Sequence, residues 1–277
     1  MLRLTFIFLL LIALPALAQE QAATDTPEEK LRKMQAVEGR LPNDVVTSFK
    51  RRTVDSSQKP WRAIGRVNIG GRAHCSGALV GERLALTAAH CLFSQHTQTM
   101  VVPSLVHFLA GYSRGEYGAH SKVQDYIVPD EFDGTLGADK ANLPHDWALL
   151  TLEDPIGQQE GFVLLHENMR AHAGKGPLLQ TPMVIAAGYP GDRAHILSLE
   201  ENCRIRNVLY HSRVMLTDCL SLKGDSGGPI LQKSGNHYVL IGVQTASTKV
   251  GRTQASMGVT ALAFSKALQK LEASTSR

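Results

Sequence analysis

From Trp61 onward the apolar positions fall in short runs rich in β-branched residues, broken by Gly, Pro, Asn and Asp at close intervals. Such spacing predicts strands of an antiparallel architecture rather than helices. The runs at 63–68, 78–80, 84–87, 101–109, 147–152, 183–187, 208–214, 229–232 and 238–244 are the candidate strands. Helical periodicity returns only at the end of the chain, where Phe264, Leu268 and Leu271 recur at i, i+4 and i+7 and line one stripe. The pattern predicts an all-β fold of barrels closed off by a C-terminal helix. No internal repeat or low-complexity segment interrupts it.

The chain before Trp61 has a different texture. Met1-Leu2-Arg3 is followed by an apolar run from Leu4 to Leu17 and the small-residue stop Ala16-Leu17-Ala18, the three parts of a secretory signal peptide with cleavage expected before Gln19. About 14 apolar residues fall short of the roughly 20 that a spanning helix needs. No other stretch approaches that length, so the mature protein is expected to be soluble. Residues 19–60 are polar and broken, with one helix signature: Thr26-Pro27-Glu28-Glu29 supplies a cap, a first-turn proline and a carboxylate, predicting a short helix to about Met34. The basic run Lys50-Arg51-Arg52 before Thr53 reads equally as a processing site and as a solvated linker. The expected organisation is a signal peptide at 1–18, an N-terminal segment or propeptide at 19–52, and one folded domain at 53–277.

Charge changes little in this picture. The formal charge of +4 over 277 residues falls to about +3 once Arg3 is removed, too weak a bias to imply a nucleic-acid partner. Cysteine usage says more. Cys75 and Cys91 lie 16 residues apart, as do Cys203 and Cys219. An even number in an oxidising compartment points to disulfides. Of three possible connectivities, two local pairs is the simplest, each loop worth roughly 3 kcal/mol by chain entropy. A zinc site is the alternative, but no Cys-x-x-Cys or His-x-x-x-His spacing accompanies these cysteines.

Three segments carry candidate chemistry. In Leu86-Thr87-Ala88-Ala89-His90-Cys91 a histidine directly follows a strand and stands beside a cysteine, a setting that holds a base in place and separates His90 from the ten other histidines. In His145-Asp146-Trp147-Ala148-Leu149-Leu150-Thr151-Leu152 an aspartate stands at the entrance of a nearly continuous apolar strand. A carboxylate buried there needs a partner, and an imidazole N–H is a suitable one. A strand-capping role is the alternative for Asp146 taken alone. His145 is expected to point elsewhere, because side chains alternate along a strand. In Lys223-Gly224-Asp225-Ser226-Gly227-Gly228-Pro229 glycines flank a serine. Gly224 lets the backbone approach a reacting carbonyl, so that its N–H and that of Ser226 can form an oxyanion hole. The local Gly-x-Ser-x-Gly also fits the nucleophile elbow of α/β-hydrolases, but that fold needs an acid and then a histidine after the serine. The only later histidine is His237, with no Asp or Glu in between.

The order His90, Asp146, Ser226 is that of chymotrypsin-like enzymes. Thr87-Ala88-Ala89-His90-Cys91, Asp146-Trp147-Ala148-Leu149-Leu150 and Gly224-Asp225-Ser226-Gly227-Gly228-Pro229 together resemble the three catalytic motifs of the trypsin-like serine protease superfamily. The likeness runs from about Trp61 to the C-terminal helix and is closest to the bacterial secreted branch, including the stretch from Ala187 to Arg193. It implies two six-stranded antiparallel β-barrels with the active site between them, protein or peptide substrates, no metal or organic cofactor, and a secreted or periplasmic location. Oligomeric state is left open.

Two departures from the family pattern stand out. Members activated by cleavage pair a new N-terminal ammonium with the aspartate before the nucleophile, here Asp225, yet no Ile-Val-Gly-Gly-like motif precedes Cys75 at the expected distance. Cleavage near Arg52, freeing Thr53, is one source of a cation; an internal Lys or Arg is the other. The position six residues before Ser226, an Asp in relatives that cut after Arg or Lys, is Leu220, although Asp218 is near. Thr245 and Ser247 align with the substrate-binding strand, and Gln244 with a position where glutamate-specific relatives carry His. The expectation is a small or neutral residue before the cleaved bond. A catalytically silent binding protein on the same scaffold is the second function class, and an esterase the third.

Overall fold

A computed structural model of the chain describes residues 51–166, 183–250 and 253–275. The expected signal peptide and the helix at 26–34 lie outside the described residues. In chain order the strands are β1 (Arg52–Thr53), β2 (Ile64–Ile69), β3 (Ala73–Leu79), β4 (Leu84–Thr87), β5 (Phe93–Ser94), β6 (Thr99–Met100), β7 (Val106–Ala110), β8 (Ala119–Ile127), β9 (Ala148–Leu152), β10 (Leu164–Leu165), β11 (Met183–Gly188), β12 (Ser198–Leu209), β13 (Val214–Thr217), β14 (Pro229–Ser234), β15 (His237–Val250) and β16 (Thr253–Thr260). Among the described residues two α-helices accompany them, α1 (Ile156–Glu160) and α2 (Ala261–Thr275).

Strands β2-β3-β4-β9-β8-β7 close into one antiparallel barrel. A second ring runs β12-β11-β14-β15-β16-β13 and closes through the β12–β13 pairing, so the molecule holds two six-stranded barrels, as the resemblance implies. β1 extends the second barrel by pairing Arg52 with Leu199 and Thr53 with Ser198. Closure leaves each barrel without an open edge and turns the apolar faces of the barrel strands inward. Phe108, Leu79, Leu86, Leu149 and Leu152 are wholly buried in the first barrel region, and Leu231, Leu240, Val243 and Val259 in the second. The stripe on α2 docks as expected: Phe264 and Leu268 are buried, and the Phe264 ring sits 6.0 Å from that of Trp147 at the head of β9.

Two strand expectations need correction. The run at 208–214 is a reversal, since Tyr210, His211 and Ser212 take φ of 52°, 53° and 66° and return the chain from β12 to β13. A left-handed turn built without glycine leaves no mark in the hydrophobic pattern. The run at 101–109 is broken by a 3₁₀ turn at Pro103–Leu105, so only Val106–Ala110 is strand; proline cannot donate to a ladder. Strand β8 lies outside every expected run because a polar residue holds one of its core positions. Ser121 is fully buried there, donating to the Lys122 carbonyl and accepting the Asp154 N–H.

Candidate active site

The site lies where the two barrels meet. His90 sits in the 3₁₀ turn Ala89–Leu92 that follows β4. This turn is fastened to β3 by the Cys75–Cys91 disulfide, and Cys203 pairs with Cys219, so the connectivity is the two local pairs. Asp146 ends the turn Leu143–His145 immediately before β9, and β9 pairs with β4 so that Thr87 faces Ala148. That register brings the ends of the two strands together. The Asp146 carboxylate, only 4% exposed, accepts the His90 backbone N–H at 2.9 Å and the Nδ1–H at 2.8 Å. Two bonds to one residue fix both the ring and its tautomer. Burial alone would lower the His90 pKa, but the charge and hydrogen bond of Asp146 outweigh it, and the net shift is upward from the ordinary histidine value. His145 turns away as expected, with Nδ1 3.8 Å from Glu131 Oε2.

Ser226 comes from the second barrel, on the turn leading into β14. Its carbonyl accepts the Ser76 N–H of β3 at 2.8 Å. The Cys91 sulfur lies 3.8 Å from that carbonyl oxygen and 3.9 Å from His90 Nε2, which places the serine backbone beside the imidazole edge. Such close packing depends on Gly227. A Cβ there would stand 2.1 Å from Thr87 Oγ1 and 2.3 Å from the Ser76 carbonyl oxygen, and its φ of 80° is a conformation other residues avoid.

The backbone of this turn is committed except at two amides. Asp225 N–H donates to Leu222, Gly227 N–H to Gln244 and Gly228 N–H to Asp225. Among the described residues no acceptor takes the N–H of Gly224 or of Ser226. Gly224, at φ 99°, has its carbonyl held by the Ser76 hydroxyl at 2.8 Å; the same hydroxyl accepts the Tyr189 N–H at 2.8 Å. Ser76 therefore orients the peptide plane that follows Gly224, a contribution the strand pattern around Cys75 did not reveal. Tyr189 is fully buried, its hydroxyl donating to the Tyr112 carbonyl, and burial pushes its pKa upward.

Asp225 is fully buried, and its partner is Arg51: Nη1 lies 2.5 Å from Oδ2, with both side chains at 0% exposure. The Leu222 N–H donates to the same carboxylate oxygen. Of the two cations considered for Asp225, the structure holds the internal one. Thr53 is engaged in β1 against Ser198.

The pocket candidates separate into two groups. Gln244 and Thr245 lie beneath the turn: the Gln244 backbone exchanges bonds with Gly227 and Gly228, its Nε2 donates to the Ala187 carbonyl at 3.3 Å, and the Thr245 hydroxyl donates to the Met257 carbonyl. Leu220 is buried on the segment entering the turn, whereas Ser247 lies further along β15 and is exposed. Asp218 is engaged elsewhere, accepting from the Arg206 side chain and the Arg204 N–H of β12.

A nucleophile-bearing turn with two free amides, set against a carboxylate-bound histidine, can attack a carbonyl and hold the oxyanion that forms. The family model for trypsin matches residues 50–265. The chain belongs to the trypsin family. Tissue-type plasminogen activator of Sus scrofa is 26% identical to this trypsin-family chain over 219 residues, 68% of this chain and 38% of that protein. Coagulation factor XI of Bos taurus is 24% identical over 247 residues, 78% of this chain and 37% of that protein. The chain thus spans little more than a third of the length of either relative. Among solved structures, a Glu endopeptidase in complex with MPD shares the fold with a TM-score of 0.64 at 18% identity, over 80% of this chain and 96% of that one.

Proposed function

We propose that this trypsin-family protein is a serine endopeptidase, secreted or periplasmic, acting through an acyl-enzyme on Ser226. The observation that carries the reading is the His90–Asp146 pair, bonded at 2.8 Å beside a serine turn whose two free amides face no acceptor of their own. Ser226 Oγ attacks the peptide carbonyl while His90 Nε2 takes its proton. The Gly224 and Ser226 N–H groups receive the oxyanion, worth about 10²–10³ in turnover for each donor. His90 then delivers the proton to the leaving amine, and Asp146 stabilises the imidazolium. Water, activated by the same histidine, releases the acyl group. The bonds formed and broken are those of ordinary acyl transfer, and side chains and backbone supply every group. The two disulfides support an oxidising location, and among the described residues no helix is long and apolar enough to cross a membrane.

Substrate choice follows from what lines the turn. Leu220 stands at the position six residues before Ser226, and the nearby Asp218 carboxylate is engaged by Arg206 rather than offered to a basic side chain. A small or neutral residue before the cleaved bond fits these groups. The deciding experiment is intact mass after exposure to diisopropyl fluorophosphate. One adduct on the wild type and none on Ser226→Ala supports the peptidase; no adduct on the folded wild type leaves a binding protein on a protease scaffold. A peptide-library profile dominated by Arg and Lys would overturn the neutral preference.

A further inference from the structure

The residue that holds Asp225 comes from the basic run ahead of the domain, and its burial has a consequence for how the site is switched on. Arg51 is 3% exposed. Besides Asp225 it reaches the Ser198 carbonyl through Nη2 at 3.1 Å, and its own carbonyl accepts Arg193 Nη1 at 3.3 Å. Its chain neighbour Arg52 is different in kind: half-exposed, and paired with Glu201 at the surface. Asp225 lies between Gly224 and Ser226, so anything that fixes its carboxylate fixes the two amides on either side. Its other oxygen is packed where Gly188 leaves room, since a Cβ on that glycine would stand 2.5 Å from Oδ1.

We propose that Arg51 is a positioning residue for the oxyanion amides, and that it does this as part of an uncut chain. The deduction rests on the peptidase reading for its catalytic consequence but not for its structural one. A charge with no access to water demands a partner, and the partner here is the Arg51 guanidinium. No newly generated amino terminus is needed to supply the cation. A cut after Arg51 or Arg52 would detach the tie rather than create one. Arg51 is accordingly a structural latch: its side chain is inaccessible and its carbonyl is held by Arg193, so a protease cannot seat the Arg51–Arg52 bond while the domain is folded.

The test uses the full secreted chain, Arg51→Ala, Arg51→Lys and, as a surface control, Arg52→Ala. Arg51→Ala is expected to lose about 10²-fold in kcat, the scale of one lost oxyanion donor, with KM little changed and partial recovery on adding guanidinium ion. Arg52→Ala is expected to match the wild type. Arg51→Lys should acquire a loss of activity at alkaline pH as its buried ammonium titrates below the usual value of about 10.4, a limb absent from the wild type. Hydrogen exchange of the 222–228 backbone should rise in Arg51→Ala and not in Arg52→Ala, whether or not the protein cleaves peptides. Wild-type loop protection in Arg51→Ala, or full activity confined to a form beginning at Thr53, would overturn the proposal. An inert wild type in which Arg51→Ala still loosens the loop would retain the tie and remove the peptidase reading instead. Should Arg51→Ala not fold, the alkaline limb of Arg51→Lys decides alone.

Discussion

At the residue scale the proposed mechanism turns on the protonation of His90. The base must be neutral to accept the serine proton, and Asp146 shifts its pKa above the ordinary histidine value of about 6.5. Activity is therefore expected to be present above the raised value and lost as pH falls through it, so the acid limb of kcat/KM should lie above about 6.5. Asp146→Asn should keep the shape of the site but hold the wrong tautomer, lowering kcat by about 10⁴; stopped-time hydrolysis of a chromogenic peptide across pH 5–9 measures both effects. As candidates His90, Asp146 and Ser226 stood out because each sits in a local pattern with few meanings, in an order that argues against the α/β-hydrolase. Ser76 and Arg51 did not. A serine in a strand and an arginine in a basic run are commonplace, and their contacts span 148 and 174 residues.

At the element scale the decisive feature is how closely the serine turn approaches the end of β4. Gly227 leaves no room for a methyl group against Thr87 and Ser76, both fixed by the barrel, and its φ adds strain to any substitution. Gly227→Ala should therefore lower stability by about 3 kcal/mol or more, beyond the usual cost of a surface change, and should slow labelling by diisopropyl fluorophosphate in whatever remains folded. Thermal melting alongside the mass assay separates the two. Strand identity was readable where one face alternates or the whole run is buried, as in β4 and β9. It was not where Ser121 replaces an apolar core residue in β8, or where three non-glycine residues with positive φ turn the chain between β12 and β13.

For the whole molecule, the division of labour between barrels matters most. The first supplies His90 and Asp146, the second Ser226 and its amides, and Ser76 crosses from one to the other. Core damage outside the His90, Asp146 and Ser226 segments should cost stability without altering chemistry. Phe108→Ala, which empties a fully buried aromatic position on β7, should destabilise by about 3–5 kcal/mol. It should leave kcat/KM of the folded fraction unchanged, as denaturant titration and active-site labelling would show.

Read on its own, the chain determined the β character, the C-terminal helix, the candidate triad and the local cysteine pairs, because each depends on periodicity or on residues close in sequence. Family resemblance added the two-barrel arrangement. Only the tertiary structure decided which cation meets Asp225, which hydroxyl holds the Gly224 carbonyl, and that Asp218 is engaged by Arg206. The first two outcomes belong to buried polar groups, the third to a surface pair, and in all three the partner is chosen by proximity in the folded state. Desolvation favours partners for buried polar groups, but it leaves no periodic trace in the sequence to say which.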